Sequence, residues 1–170
     1  MVNLVQGRCP RRLLHPRRYE HERQLLPRFQ SLRERFRAGT WYHVAATHAA
    51  GADKLYVNGG TAEASGVAGN FAVSDAANLR LASSQQFSLY TSGLLDEVSF
   101  YNSALSASDV DDVYNGGTPT DLGPDGLNLS PVGWWRMGDG DTYDTLTDHG
   151  SGGNDGTMKN MLAGDIVAEC

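Results

Sequence analysis

Residues 93–101 read GLLDEVSFY. Leu94, Val98 and Phe100 fall on one face at a period of two, the spacing of a strand and not of a helix. The stretch stops at Asn102-Ser103, a turn-type pair. The same parity puts Asp96 on the apolar side and Glu97 on the opposite side. A core-side carboxylate needs hydrogen-bond donors or a cation. Asp96 is therefore expected to be a structural carboxylate taking loop amides near a strand end, with metal ligation as the alternative.

Working backwards, the pattern recurs. Residues 41–47 (WYHVAAT) alternate with Tyr42, Val44 and Ala46 together, and residues 54–58 (KLYVN) with Leu55 and Val57 together. Asn58-Gly59-Gly60 tolerates positive φ and predicts a tight hairpin. Residues 78–82 and 87–90 are two further predicted strands. Working forwards, Ser106 and Asp109 form an S-x-x-D capping pattern. Val110, Val113 and Tyr114 then make an apolar stripe, and Gly116-Gly117 ends the helix. Residues 132–137 (VGWWRM) predict another strand, 138–156 an acidic glycine-rich loop, and 157–161 a last short strand. Many short strands with one late helix predict an all-β, antiparallel sandwich.

The chain has 170 residues, of which 40% are aliphatic or aromatic, enough for one domain with a core. No stretch approaches the ~20 apolar residues of a membrane span. Cys9 and Cys170 exclude a disulfide-rich scaffold and a four-cysteine zinc site. The net charge of −6 is a sum over two unlike parts: residues 1–38 carry +7 with ten of the twelve arginines, and residues 39–170 carry −13. Nineteen of the 20 glycines lie in the second part.

The first 38 residues are cut by Pro10, Pro16 and Pro27, and residues 28–38 place Phe29, Leu32 and Phe36 at helical spacing. This leader is expected to be irregular or helical. An Arg-rich arm can bind nucleic-acid phosphates or an anionic membrane surface. A targeting peptide fits poorly, because the segment holds three Glu and three Pro and no apolar h-region, so no signal peptide is visible. A third reading is a non-native leader, translated in a shifted frame, which the abrupt loss of Asp and Gly would produce.

The ordered set WYHVAAT, LYVNG and GLLDEVSFYNSALSASDV resembles the back half of a laminin G-like domain, in the concanavalin A-like lectin/glucanase superfamily. VGWWRMGDGD followed by DHGSGGNDGTM resembles the opening of such a module. The resemblance implies a jelly-roll sandwich, incomplete here, because the basic leader occupies the place of the first strands. It divides the chain into the leader at 1–38, rear strands and helix at 39–118, a linker at 119–131, and a second-module start or permuted closing hairpin at 132–170. Similar tandem modules occur in bacterial surface proteins and in virion proteins, including those of phages, so an extracellular surface or virion location is expected. An incomplete sandwich also leaves edges open to other modules of a larger assembly.

Some relatives are glucanases, which need two carboxyl groups ~5–5.5 Å apart. With Asp96 and Glu97 on opposite faces, catalysis is not expected. Asp139, Asp141, Asp144 and Asp148 form the richest carboxylate cluster, and a loop of this kind suits calcium. It is not an EF-hand loop, since Tyr143 stands at a required acidic position. The competing reading is a turn in which Asp and Asn bond local amides. His43, His48 and His149 raise zinc, but His43 and His48 lie on opposite faces by parity. Of Trp134 and Trp135, one should face inward, the other stacking on a sugar or packing under the long loop. Asn128-Leu129-Ser130 matches a glycosylation sequon.

The expected function is a non-enzymatic lectin-like or adhesion module whose partners are glycans or neighbouring modules. The alternative is a particle-assembly protein whose Arg-rich arm binds nucleic acid. A glycoside hydrolase is the remote third reading, and calcium is the one cofactor considered.

Overall fold

The computed structural model describes residues 2–6, 36–49, 52–66, 79–84, 89–90 and 92–166. Strands β1 (Val2–Gln6), β2 (Tyr42–Ala49), β3 (Ala52–Val57), β4 (Ala62–Gly66), β7 (Asp96–Phe100) and β8 (Gly133–Trp135) form one sheet in the order β4-β3-β2-β1-β7-β8. Every pairing in it is antiparallel. Two small ribbons pair β5 (Ser83–Ser84) with β6 (Leu89–Tyr90) and β9 (Thr145–Leu146) with β10 (Gly156–Thr157). The helix spans Ala107–Tyr114. Among the described residues this is a mostly antiparallel sheet protein with one short α-helix, as the alternation and the capping pattern predict, and the sheet does not close into a barrel.

The hairpin between β3 and β4 forms at Asn58 and Gly59, with φ of 54° and 124°. Other strands are shorter than their apolar runs because the backbone leaves the extended region. Ala82 has φ 57°, so residues 79–82 stay outside any strand. Met137 at φ 53° and Asn160 at φ 58° likewise lie beyond the ends of β8 and β10.

The leader departs most from expectation. Val2–Gln6 is neither irregular nor helical; it is a strand seated between β2 and β7. Its sequence VNLVQ carries the branched residues that suit a strand. Residues 36–38 are not helical, and the remainder of the helix expected at 28–38 lies outside the described residues.

The helix begins where Ser106 Oγ accepts from the Asp109 amide, while Asp109 accepts from the Ser106 amide, a reciprocal cap. It ends on Asn115, which adopts the left-handed conformation. Val110 packs on Ala45 and Tyr56, and Val113 on Leu122 and Trp134. Burying such side chains contributes about 1.5–3 kcal/mol each. The helix thus selects which sheet face is buried: His43, Ala45 and Thr47 of β2 lie under it, and Tyr42 and Val44 are half-buried on the opposite side. Residues 119–131 pack Leu122 into the core, and β8 extends the sheet beside β7. Gly60 allows the helix to sit close, since a Cβ there would lie 2.0 Å from the Ala107 carbonyl oxygen.

Candidate binding cleft

A bulge in β7 builds the site. β1 pairs Asn3 with Ser99 but Val5 with Asp96, so two residues of β7 stand opposite one of β1. Glu97, at φ 49°, takes the irregular backbone. Val98 keeps the face it shares with Trp135, while the extra residue turns Asp96 over into the row of Val5 and His43. Strict alternation therefore fails here. Asp96 does not share a side with Val98, and Asp96 and Glu97 line the same cleft. No glycine marks the bulge, so alternation gives no warning of it.

Glu97 is the buried carboxylate that parity assigned to Asp96. It is 7% exposed and accepts hydrogen bonds from Trp134 Nε1 at 2.7 Å and Arg136 Nε at 3.2 Å. Arg136 also contacts Asp139 at 2.6 Å and lies 5.6 Å from the Trp134 ring centre. Burial works against the Arg136 charge, but Glu97 and Asp139 outweigh it and hold the guanidinium above its ordinary pKa. A buried indole N–H requires an acceptor, and Glu97 supplies it.

Asp96 is half-buried, and its Oδ1 accepts from the Glu97 amide at 2.9 Å. Burial first, and then the neighbouring Glu97 charge, push its pKa up to about 6. Two register positions along the same row, His43 is 3% exposed, and neither ring nitrogen has a hydrogen-bond partner among the described residues. Burial lowers its pKa to about 4, so the ring is neutral at pH 7. It stacks on Tyr114 with centroids 5.6 Å apart. Its backbone N–H donates to Asn58 Oδ1 at 2.9 Å, which completes the row. Over this row lies a cleft of about 190 Å³, walled by Trp41 and Tyr114 and roofed by residues 116–120 and Leu122.

The four loop aspartates go to separate partners. Asp139 pairs with Arg136, Asp141 accepts from the Thr147 amide at 2.8 Å, and Asp144 is exposed beside Thr145. Asp148 is buried. Its Oδ1 accepts from the Trp134 and Gly150 amides, both at 2.8 Å, and its Oδ2 from the Asn154 amide at 2.7 Å. Among the described residues no group of three or more His, Cys, Asp or Glu converges as a metal site. Asp141 and Asp148 accept from local amides and Asp139 from the Arg136 guanidinium. The Asp141 and Asp148 bonds are of the kind by which a turn is held by its own side chains. His48 lies on the exposed side and pairs with Asp53.

Trp134 and Trp135 are both buried. Trp134 joins the helix-side core, and Trp135 packs on Phe100 with its Nε1 donating to Asn154 O under the long loop. Ten arginines lie in the leader, and of these only Arg37 is among the described residues.

No helix of the described residues is long and apolar enough to cross a membrane. No curated protein and no solved structure matches the chain. A laminin G-type family model, described as the concanavalin A-like lectin/glucanases superfamily, matches residues 25–111. The match begins inside the Arg-rich segment and carries His43, Asn58, Asp96 and Glu97, but stops before Trp134 and Asp148. It spans just over half of the sequence, from the end of the leader through β2–β7 and into the helix, and on that ground the chain belongs to the concanavalin A-like lectin/glucanases superfamily.

Proposed function

We propose that the protein is a non-enzymatic, lectin-like adhesion module of a cell-surface or virion protein, with a glycan as its ligand. The observation that carries this reading is the unequal state of the two cleft carboxylates. Both oxygens of Glu97 are engaged, by Trp134 and by Arg136, while among the described residues Asp96 is tied only through one oxygen to a neighbouring amide. Retaining and inverting hydrolysis both need two carboxyl groups free to act on opposite sides of the bond. A cleft with one available carboxylate and aromatic walls supports binding without bond cleavage. Superfamily membership supports a lectin-like or structural module in the same way.

The test is a glycan array probed with the whole chain, with and without chelator, alongside a chromogenic-glycoside assay. Glycan binding indifferent to chelator and without turnover is the expected result. Turnover abolished by Glu97→Gln overturns the non-enzymatic reading, and an empty array removes the glycan.

A further inference from the structure

His43 is an unusual group to bury. Leaving a polar atom unpaired inside a protein forfeits its hydration with nothing in return, and among the described residues neither ring nitrogen has a partner. Phenylalanine would stack on Tyr114 equally well and carry no such cost. The imidazole therefore has a use that packing does not explain, and it lines the cleft together with Asn58, Asp96, Thr118 and Thr120.

The chemistry of the floor restricts the ligand. A neutral imidazole presents one N–H donor and one lone-pair acceptor. An ammonium ion has only donors and would leave the imidazole N–H unpaired. An anion has only acceptors, would leave the ring lone pair unpaired, and would meet the charges of Asp96 and Glu97. A hydroxyl both donates and accepts, and a carboxylate such as Asp96 takes a hydroxyl proton in a charge-assisted bond. The volume of about 190 Å³ lies below the ~300 Å³ at which drug-sized pockets begin. It corresponds to roughly six waters at their liquid volume, the space of one small ring. Trp41 and Tyr114 supply flat apolar walls for the C–H face of such a ring.

We propose that this cleft is the binding site for a single neutral polyhydroxylated ring, whose hydroxyls donate to Asp96 and pair with the His43 imidazole as that buried ring turns into the cleft. This deepens the glycan reading and rests on it for the source of the ring, while the site itself stands on the geometry of His43 and Asp96.

The test follows the His43 ring nitrogens by long-range proton–nitrogen NMR in the whole chain. Methyl hexopyranosides and inositol are titrated, with methylammonium and acetate as charged probes. A saturable shift of the His43 signals with a polyol is expected. His43→Phe is expected to retain the fold and lose affinity at least tenfold. Asp96→Asn provides a second variant with the same expected loss should His43→Phe not fold. Glycan binding on an array with unmoved His43 signals and full affinity in His43→Phe overturns the site and leaves the lectin reading standing. A His43 shift with free polyols and an empty array keeps the site and removes the lectin role. Movement with methylammonium alone overturns the neutral ligand, and no movement with any probe leaves a cleft for ordered water only and overturns the proposal.

Discussion

Glu97 holds a positive φ that a non-glycine residue rarely adopts, and it does so while accepting from a buried indole and a guanidinium. Those two bonds offset the backbone cost. A hydrogen bond to a charged group contributes about 1.5–3 kcal/mol, and the one to the partly exposed Arg136 is at the low end or beneath it. Glu97→Ala is expected to lower stability by about 2–3 kcal/mol in urea unfolding, and a loss below about 1 kcal/mol would show the Trp134 bond to be dispensable. Asp96 and His43 titrate in one window with opposite signs. The Asp96 pKa is raised in the folded state to about 6, so its contribution is present at pH 4 and is lost as pH rises toward 6. Glu97, Asp139 and Arg136 are the charges that act on it. The His43 pKa is depressed to about 4, so its contribution is present above pH 6.5 and is lost as pH falls toward 4. The wild-type profile should therefore be flatter than that of either variant. Asp96→Asn should gain stability over wild type at pH 7 but not at pH 4, and His43→Phe should gain at pH 4 relative to pH 7. Urea midpoints at both pH values check this, and parallel profiles for all three proteins would refute the coupling. Asp96 was visible in the sequence as a carboxylate needing partners, but its face was not, because alternation assumes a regular ladder and the bulge removes that regularity.

The elements themselves were more legible, because their signals are local. Ser106-x-x-Asp109 closes the cap that its spacing predicts, and Asn58-Gly59 makes the predicted turn, since both depend on atoms within a few residues. Ser106→Ala is expected to cost about 1 kcal/mol in thermal or urea unfolding. Helix placement was less legible. Gly60 stands at the helix contact only because of a neighbour far along the chain, and nothing in its own surroundings signals it. The acidic loop shows the same division. Its Asp and Asn content was plain, but whether those carboxylates meet one another or meet amides depends on the turn. Asp148 collects the amides of β8 and of the following turn, and Gly150 fits there because a Cβ would lie 2.7 Å from Gly133. Asp148→Ala should therefore destabilise by roughly 3 kcal/mol, with three amides left unpaired, while millimolar calcium should leave the wild-type melting temperature unchanged. A calcium-dependent rise of several degrees would restore the metal reading.

At the scale of the molecule, the sheet is assembled across sequence distance. β1 sits in its middle, flanked by β2 and β7, so its backbone is paired on both sides. Val5→Pro removes an N–H from a central position, where proline is not tolerated. Amides of Val44, Ala45 and Ser99 are then expected to lose protection in hydrogen exchange, and retained protection would show that β2 and β7 hold without β1. The β class was readable because a period of two recurs along the chain, and the helix at Ala107–Tyr114 because its cap and apolar stripe are local. The strand order was not readable, because five residues of an Arg-rich leader carry no long-range address. The bulge in β7 also bears on how such a cleft could arise or vanish. Substitutions at Asp96 or Glu97 change the chemistry of the floor but leave its layout intact. Removing Glu97 restores the regular ladder with Asp96 still opposite Val5 on the cleft side, and takes away the acceptor of Trp134 and Arg136. Chain length within these three residues thus sets how many carboxylates the floor presents: a one-residue deletion leaves one where the bulge presents two.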